Sequence, residues 1–150
     1  MKNYAAFLIL LLAVSSGAQA RGLLSGAAGV VAGETAKSAM SPSLEKALAQ
    51  VATDLNAKAP IMVNNDTRLD HVTAGPGRRI TYQHTLTTLP STQVDPALWT
   101  QQSAIMRRTV CGTAQMAALF DNGVTVAYAY AGSDGLPVGT LDITPHDCGR

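Results

Sequence analysis

Residues 67–87 read TRLDHVTAGPGRRITYQHTLT and give the clearest indication of the fold. Apolar and polar side chains alternate on both sides of a Gly-Pro-Gly turn at residues 75–77, a pattern typical of two paired β-strands. The first strand carries on one face Thr67, Leu69, His71 and Thr73. The second strand carries on its buried face Ile80, Tyr82, His84 and Leu86, and on its wet face Thr81, Gln83, Thr85 and Thr87. The stretch therefore predicts a β-hairpin with one solvated face.

On both sides of this hairpin in the sequence, apolar residues recur at helical spacing. The first helix is predicted to begin with Ser41 as its cap and to stop at Ala59-Pro60. The second is predicted from Asp95-Pro96, again a cap followed by proline, to Gly112, and a shorter one follows over residues 113–122. Alternation then returns at residues 124–130 and 141–143 on either side of a turn, which predicts a second hairpin.

These elements predict an α+β domain over residues 41–150. The expected order is an N-terminal helix, a β-hairpin, one or two helices and a second β-hairpin. We expect a four-stranded antiparallel sheet with the helices on one face, because each helix has an apolar stripe to bury against a sheet.

The first twenty residues have the three parts of a secretory signal peptide. Lys2 supplies a positive start, residues 5–14 an apolar stretch, and Ala18-Gln19-Ala20 the small residues that a signal peptidase recognises. The apolar stretch is shorter than the roughly 20 residues that span a bilayer. The sequence therefore predicts cleavage after Ala20 and a periplasmic or secreted protein; a buried N-terminal helix is the alternative.

Residues 21–40 form a glycine- and alanine-rich segment. Within it, residues 22–33 contain two Gly-x-x-x-Gly spacings, which in apolar helices of membrane length allow two backbones to approach closely. The stretch is too short to span a membrane, and glycine weakens helices in water. A flexible tether is the preferred interpretation, and membrane contact or association with a partner through residues 22–33 is the alternative.

The chain contains two cysteines, Cys111 and Cys148, both beyond the leader. An even number of cysteines in an exported chain favours a disulfide. The alternative is a reactive or metal-binding pair, but neither cysteine belongs to a Cys-x-x-Cys motif and two thiols without histidines make a poor zinc site.

Charge argues against nucleic acid as a partner. The chain has 11 basic and 10 acidic residues, so that removal of Lys2 with the leader leaves 10 of each and a formal charge of zero. A neutral domain has no electrostatic footprint for phosphate backbones.

The stretch PIMVNNDTRLD at residues 60–70, followed by Ile80-Thr81-Tyr82, resembles the core of an uncharacterised family of small bacterial exported proteins. In that family a Met-Val…Thr-Arg-Leu-Asp stretch leads into a Thr-Tyr strand. The likeness extends from residue 60 to Cys148 and includes Cys111. It implies export, small size and a cysteine pair, and it supplies no activity and no catalytic residue.

Motifs for catalysis, metals and cofactors do not occur. His71 and His84 are predicted to meet across the first hairpin as an ordinary packed pair, and with His146 they form no metal-ligand spacing. Ser133 lies in a turn-like sequence and not in a Gly-x-Ser-x-Gly motif, and no phosphate-binding loop is present. The sequence therefore predicts no catalytic residue, no metal site and no cofactor.

The remaining candidate is a binding face on the wet side of the hairpin, made of Arg68, Asp70, Thr81, Gln83 and Thr85. Arg68 and Asp70 are two apart on a strand and share a face, so they pair with each other or present opposite charges to a ligand. The sequence thus favours a non-enzymatic exported protein that binds another macromolecule, a protein or an envelope component. The alternatives are a membrane-associating accessory protein acting through residues 22–33 and an unrecognised hydrolase.

Overall fold

The computed structural model describes residues 42–150 of the chain. In that part there are three α-helices, which are α1 (Pro42–Asn56), α2 (Pro96–Cys111) and α3 (Ala114–Asp121). The strands are β1 (Ile61–Met62), β2 (Thr67–Gly75), β3 (Arg79–Leu86), β4 (Thr125–Ala131) and β5 (Pro137–Ile143). The predicted leader at residues 1–20, the segment 21–40 and the predicted cap Ser41 lie outside the described residues.

The helices begin and end close to their predicted limits. The start of α2 is confirmed in detail, since the Asp95 carboxylate accepts a hydrogen bond of 2.8 Å from the amide of Ala97 and Pro96 occupies the first turn. Proline fits there because its missing N–H would have no partner in the first turn. None of the helices within residues 42–150 is long and apolar enough to cross a membrane.

The α+β class is correct, but the predicted four-stranded antiparallel sheet is wrong. The sheet has five strands in the order β1-β2-β3-β4-β5, because the short strand β1 pairs with β2. The sheet is mixed: β3 and β4 run parallel, whereas the other neighbouring pairs are antiparallel. The physical reason is the connection, since α2 and α3 carry the chain back to the end of the sheet from which β3 started, as a parallel pair requires.

A β-bulge in β2 changes which side chains share a face. The strand pairing shifts between Leu69 and His71, so that Leu69 lies opposite His84 and His71 lies opposite Gln83. The extra residue reverses the alternation, and His71 is exposed while His84 is buried. The predicted contact between His71 and His84 across the hairpin is therefore wrong.

The helices cover one face of the sheet, as predicted. Leu48 of α1, Val110 of α2 and Phe120 of α3 belong to the same hydrophobic core as inward residues of β2 to β5. Phe120, with 1% of its surface exposed, is the largest side chain in this part of the chain that is fully buried. The opposite face of the sheet receives no helix from residues 42–150.

Cys111 and Cys148 form a disulfide, with their Cα atoms 5.1 Å apart. Cys111 is the last residue of α2, and Cys148 lies in a short 3₁₀ turn that follows β5. Beside the bridge, Arg107 Nε lies 3.6 Å from Asp147 Oδ1. The disulfide therefore ties the C-terminal end of the chain to the helical layer.

Candidate functional site

The candidate site is the sheet face opposite the helices, which we call the outer face. Alternation along the strands places there Arg68, Asp70, His71 and Thr73 of β2, Arg79, Thr81, Gln83 and Thr85 of β3, Thr125, Ala127, Ala129 and Ala131 of β4, and Thr140 and Asp142 of β5. All five residues predicted for a binding face are in this set.

Three of the predicted residues form one hydrogen-bonded group at one end of the outer face. Arg68 Nε lies 2.5 Å from Asp70 Oδ1, and Thr85 Oγ1 donates to Asp70 Oδ2 over 2.6 Å. Both carboxylate oxygens of Asp70 are therefore engaged, and the two opposite charges are paired with each other. The other two predicted residues, Thr81 and Gln83, precede Thr85 along β3 on the same face.

A second ion pair, which the sequence reasoning missed, lies at the other end of the outer face. Arg79 Nη1 donates to Asp142 Oδ2 over 3.1 Å and Arg79 Nη2 donates to Asp142 Oδ1 over 2.6 Å. The two residues belong to β3 and β5, so that the pair crosses over β4, where Ala127 is fully buried. Two residues 63 positions apart carry no sequence signal for this contact.

Strand β4 contributes only small side chains to the middle of the outer face. Residues 125–131 read TVAYAYA, so that alanines face outward while valine and tyrosines face the helices. This alternation of small and large side chains is a signal that the sequence reasoning could have used. Between the two ion pairs, the outer face holds no Asp, Glu, Lys or Arg. It offers hydroxyl and amide groups on Thr81, Gln83 and Thr140 beside Ala129, with the exposed His71 opposite Gln83.

The side of the sheet under the helices holds an aromatic row. Tyr82 stacks on Tyr128 with ring centroids 5.4 Å apart, His84 stacks on Tyr130 at 4.9 Å, and Trp99 meets Tyr130 edge to face at 5.4 Å. These stacked and edge-to-face geometries are those that aromatic pairs prefer. The row joins the middle of the sheet to α2.

Burial keeps the aromatic row uncharged near neutral pH. It lowers the pKa of His84 to about 4, an effect that a backbone hydrogen bond at Tyr82 and the Asp70 charge oppose. It raises the pKa of Tyr130 to about 12, and it raises the pKa of Tyr128 and of Tyr82. The row therefore packs as a set of neutral rings between the sheet and α2.

The other predicted candidates stand apart from each other. His71 lies on the outer face, His84 lies in the core, and His146 lies in the 3₁₀ turn beside the disulfide. Within residues 42–150, no group of three or more His, Cys, Asp or Glu side chains is arranged to hold a metal ion. Ser133 lies in the turn between β4 and β5, where the neighbouring Asp134 carboxylate accepts bonds from the amide and hydroxyl of Ser91.

Comparisons with known proteins identify relatives of the fold only. No protein-family model and no curated protein matches this sequence. A Pseudomonas aeruginosa protein described as secreted matches with a TM-score of 0.61 and 18% identity, over 71% of this chain and 93% of that one.

Two further matches are pilotins of type II secretion systems. EpsS from Vibrio vulnificus has a TM-score of 0.57 and 17% identity, over 71% of this chain and 92% of its own. AspS from Vibrio cholerae has a TM-score of 0.54 and 15% identity, over 71% of this chain and 93% of its own. The fold of this chain is thus similar to that of two pilotins and of a protein described as secreted, and the similarity covers nearly the whole of each of those three chains.

Proposed function

We propose that this chain is an exported, non-enzymatic protein that binds another protein of the cell envelope, as an accessory to a type II secretion system. The observation that carries the proposal is the outer face, whose centre between the two ion pairs holds no Asp, Glu, Lys or Arg and which the helices of residues 42–150 leave uncovered. The fold likeness to two pilotins of such systems supports the choice of partner class.

Export is supported by the leader sequence and by the disulfide. Disulfides persist in oxidising compartments such as the periplasm, and the Cys111–Cys148 bridge fits that location. Cleavage after Ala20 gives a mature chain that begins at Arg21. N-terminal sequencing of the protein from a periplasmic fraction tests this, and an intact Met1 terminus in the membrane fraction would contradict it.

The chemistry of the outer face supports a binding role. Most of its polar groups that lie between the two ion pairs are neutral donors and acceptors, and protein–protein interfaces are depleted of charge in their centres. The two ion pairs hold their charges in defined positions at the ends of the outer face. Because these charges lie at the rim, they can orient a partner while they stay hydrated. A partner with a flat, neutral surface fits this arrangement.

The test is capture of the envelope partner by the mature, disulfide-bonded protein. Chemical cross-linking in cells, followed by purification and mass spectrometry, is expected to recover a component of the secretion apparatus. Replacing Ala129→Arg places a long charged side chain at the centre of the outer face, and capture should fall about tenfold because an unpaired charge at an interface centre is costly.

A matched control separates binding from folding. Ala104→Arg makes the same change at an exposed position of α2. The free energy of unfolding of both variants should lie within about 1 kcal/mol of that of the original protein, because Ala104 is exposed and the half-buried Ala129 lies on the face that the helices leave uncovered. The proposal predicts that Ala104→Arg captures normally. Undiminished capture by a folded Ala129→Arg variant would remove the outer face as the binding surface, and recovery of no envelope protein would remove the proposed function.

A further inference from the structure

The two edges of the sheet differ in how far the main chain of the edge strand is hydrogen-bonded. At the β2 edge, β1 pairs with Arg68 and Leu69, and further along the side chain of Asn56 takes the place of a strand. Its Nδ2 donates to the Val72 carbonyl and its Oδ1 accepts from the Val72 amide, both over 2.8 Å. This edge is closed by an amide group that imitates a neighbouring backbone.

The β5 edge is left open over seven residues, Pro137–Ile143. β5 pairs with β4 on one side, and on its other side no backbone or side chain of residues 42–150 hydrogen-bonds to its main chain. Natural sheets usually blunt such an edge with charges, prolines or bulges. In β5 the only charged side chain, Asp142, lies over the outer face and is paired with Arg79, and the only proline stands at the first position. The one irregularity of its pairing with β4 lies at the same end, where Val138 is the extra residue between Pro137 and Gly139, so that Gly139–Ile143 form a regular open edge.

A recess adjoins the first residues of this open edge. We call it the Trp99 recess; it has a volume of about 340 Å³ and is lined by Ser91, Thr92, Val94, Pro96, Trp99, Pro137 and Val138. The Trp99 ring lies against Gly139, where an added Cβ would come within 2.8 Å of the indole. The recess is thus a mainly apolar hollow beside the free backbone of β5.

The charges around the edge restrict what fits. The lining of the Trp99 recess contains no charged side chain, but two carboxylates adjoin it: Asp134 accepts a hydrogen bond from the lining residue Ser91, and Asp95 lies between the lining residues Val94 and Pro96. An apolar or aromatic side chain matches the recess. A segment with an acidic residue at that point would meet the Asp134 charge, so that an uncharged or basic segment is favoured.

We propose that the β5 edge accepts an extended, uncharged segment of a partner protein as a sixth strand, with one apolar side chain of that segment in the Trp99 recess. In this mode of recognition, main-chain hydrogen bonds supply affinity and pockets for alternate side chains supply specificity. The inference rests on the proposed function for the existence of a partner, but it assigns a surface distinct from the centre of the outer face.

The test uses a synthetic peptide with the sequence of residues 124–131, because β4 already pairs with the opposite side of β5 in antiparallel register. The peptide, capped at both ends, is titrated into isotope-labelled mature protein and followed by amide NMR. Shifts are expected along β5 and at the Trp99 indole N–H. A peptide with alternate amides N-methylated keeps the side chains but loses main-chain donors, and it should bind about tenfold more weakly.

A pair of threonine variants provides the structural control. Thr140 lies on the open edge strand and Thr73 lies on β2, and both are exposed on the outer face. Thr140→Lys should weaken peptide binding about tenfold, because an edge lysine opposes strand addition, whereas Thr73→Lys should leave it unchanged.

Three results would overturn the inference. The first is equal affinity of the N-methylated and unmethylated peptides. The second is a set of amide chemical-shift changes confined to the outer face around Ala129. The third is a dimer in analytical ultracentrifugation that Thr140→Lys dissociates, since a second copy of the chain would then occupy the edge. Failure of the two proposals is distinguishable. Peptide binding without capture of an envelope partner contradicts the proposed function, whereas capture by a protein whose β5 amides do not respond to the peptide contradicts the edge.

Discussion

Acidification should destabilise the folded protein through His84. This side chain is 8% exposed, its ring is stacked on Tyr130, and within residues 42–150 its Nδ1 atom has no hydrogen-bond partner. Burial lowers its pKa from 6.5 to about 4. Besides Tyr130, the groups that face it are Tyr128 and Tyr82, both neutral, while Asp70 attracts the imidazolium from the other side of the sheet. A proton on His84 therefore finds little compensation in the core.

The sign follows from the two pKa values. Between pH of about 6.5 and about 4 the unfolded chain binds a proton at His84 and the folded protein does not, so that stability falls as the pH falls. Each unit of pKa difference corresponds to about 1.4 kcal/mol, which gives a total loss of about 3 kcal/mol. This contribution is fully present above the unfolded pKa, is lost as the pH approaches about 4, and then stays constant. It is a large share of a typical stability of about 5–15 kcal/mol.

Urea unfolding at a series of pH values measures this effect. His84→Phe keeps a stacked ring and removes the titration, so the variant should lose little stability over the same range. Asp134 and Asp147 do not confuse the result, because hydrogen bonds from Ser91 and Thr144 lower their pKa values and their charges are lost only in stronger acid. An equal slope in the variant and the original protein, or no slope in either, would refute the reasoning.

Three further changes test the structure. Cys111→Ser with Cys148→Ser should lower the unfolding free energy by about 4 kcal/mol, because the bridge joins residues 37 positions apart; unchanged urea midpoints in reduced and oxidised protein would contradict this. Gly139→Ala should lower the unfolding free energy by about 1–3 kcal/mol, because the added Cβ would lie 2.8 Å from the Trp99 indole; near-ultraviolet circular dichroism should fall as the ring is displaced, and an unchanged spectrum and stability would contradict this contact. Asn56→Ala should cost about 1–3 kcal/mol by leaving the buried Val72 amide and carbonyl unpaired, and it should speed hydrogen exchange at Val72; unchanged exchange would mean that another group closes this edge.

The amino-acid sequence was sufficient to predict local order. The start of α2 follows from Asp95 and Pro96, because capping involves only residues within one turn. The two faces of β3 follow from simple alternation, which is a property of consecutive residues. The pairing of Cys111 with Cys148 follows from their being the only two cysteines in a chain whose sequence predicts export.

The candidate site was predictable in part for the same reason. Arg68, Asp70 and Thr85 share a face because strand alternation puts them there, and their hydrogen bonds lie within one hairpin. Arg79 and Asp142 were not predictable, because their contact requires β3 and β5 to flank β4. Nothing near either residue in the sequence specifies that neighbour.

Strand direction and the β-bulge depend on long-range packing. The parallel pairing of β3 with β4 depends on where α2 and α3 deliver the chain, and the same local patterns are compatible with either direction. The bulge between Leu69 and His71 moves one histidine to solvent, because one extra residue reverses every later side chain on the strand. Both features are selected by the packing of the whole sheet against its helices, so they cannot be predicted from residues that are neighbours in the sequence.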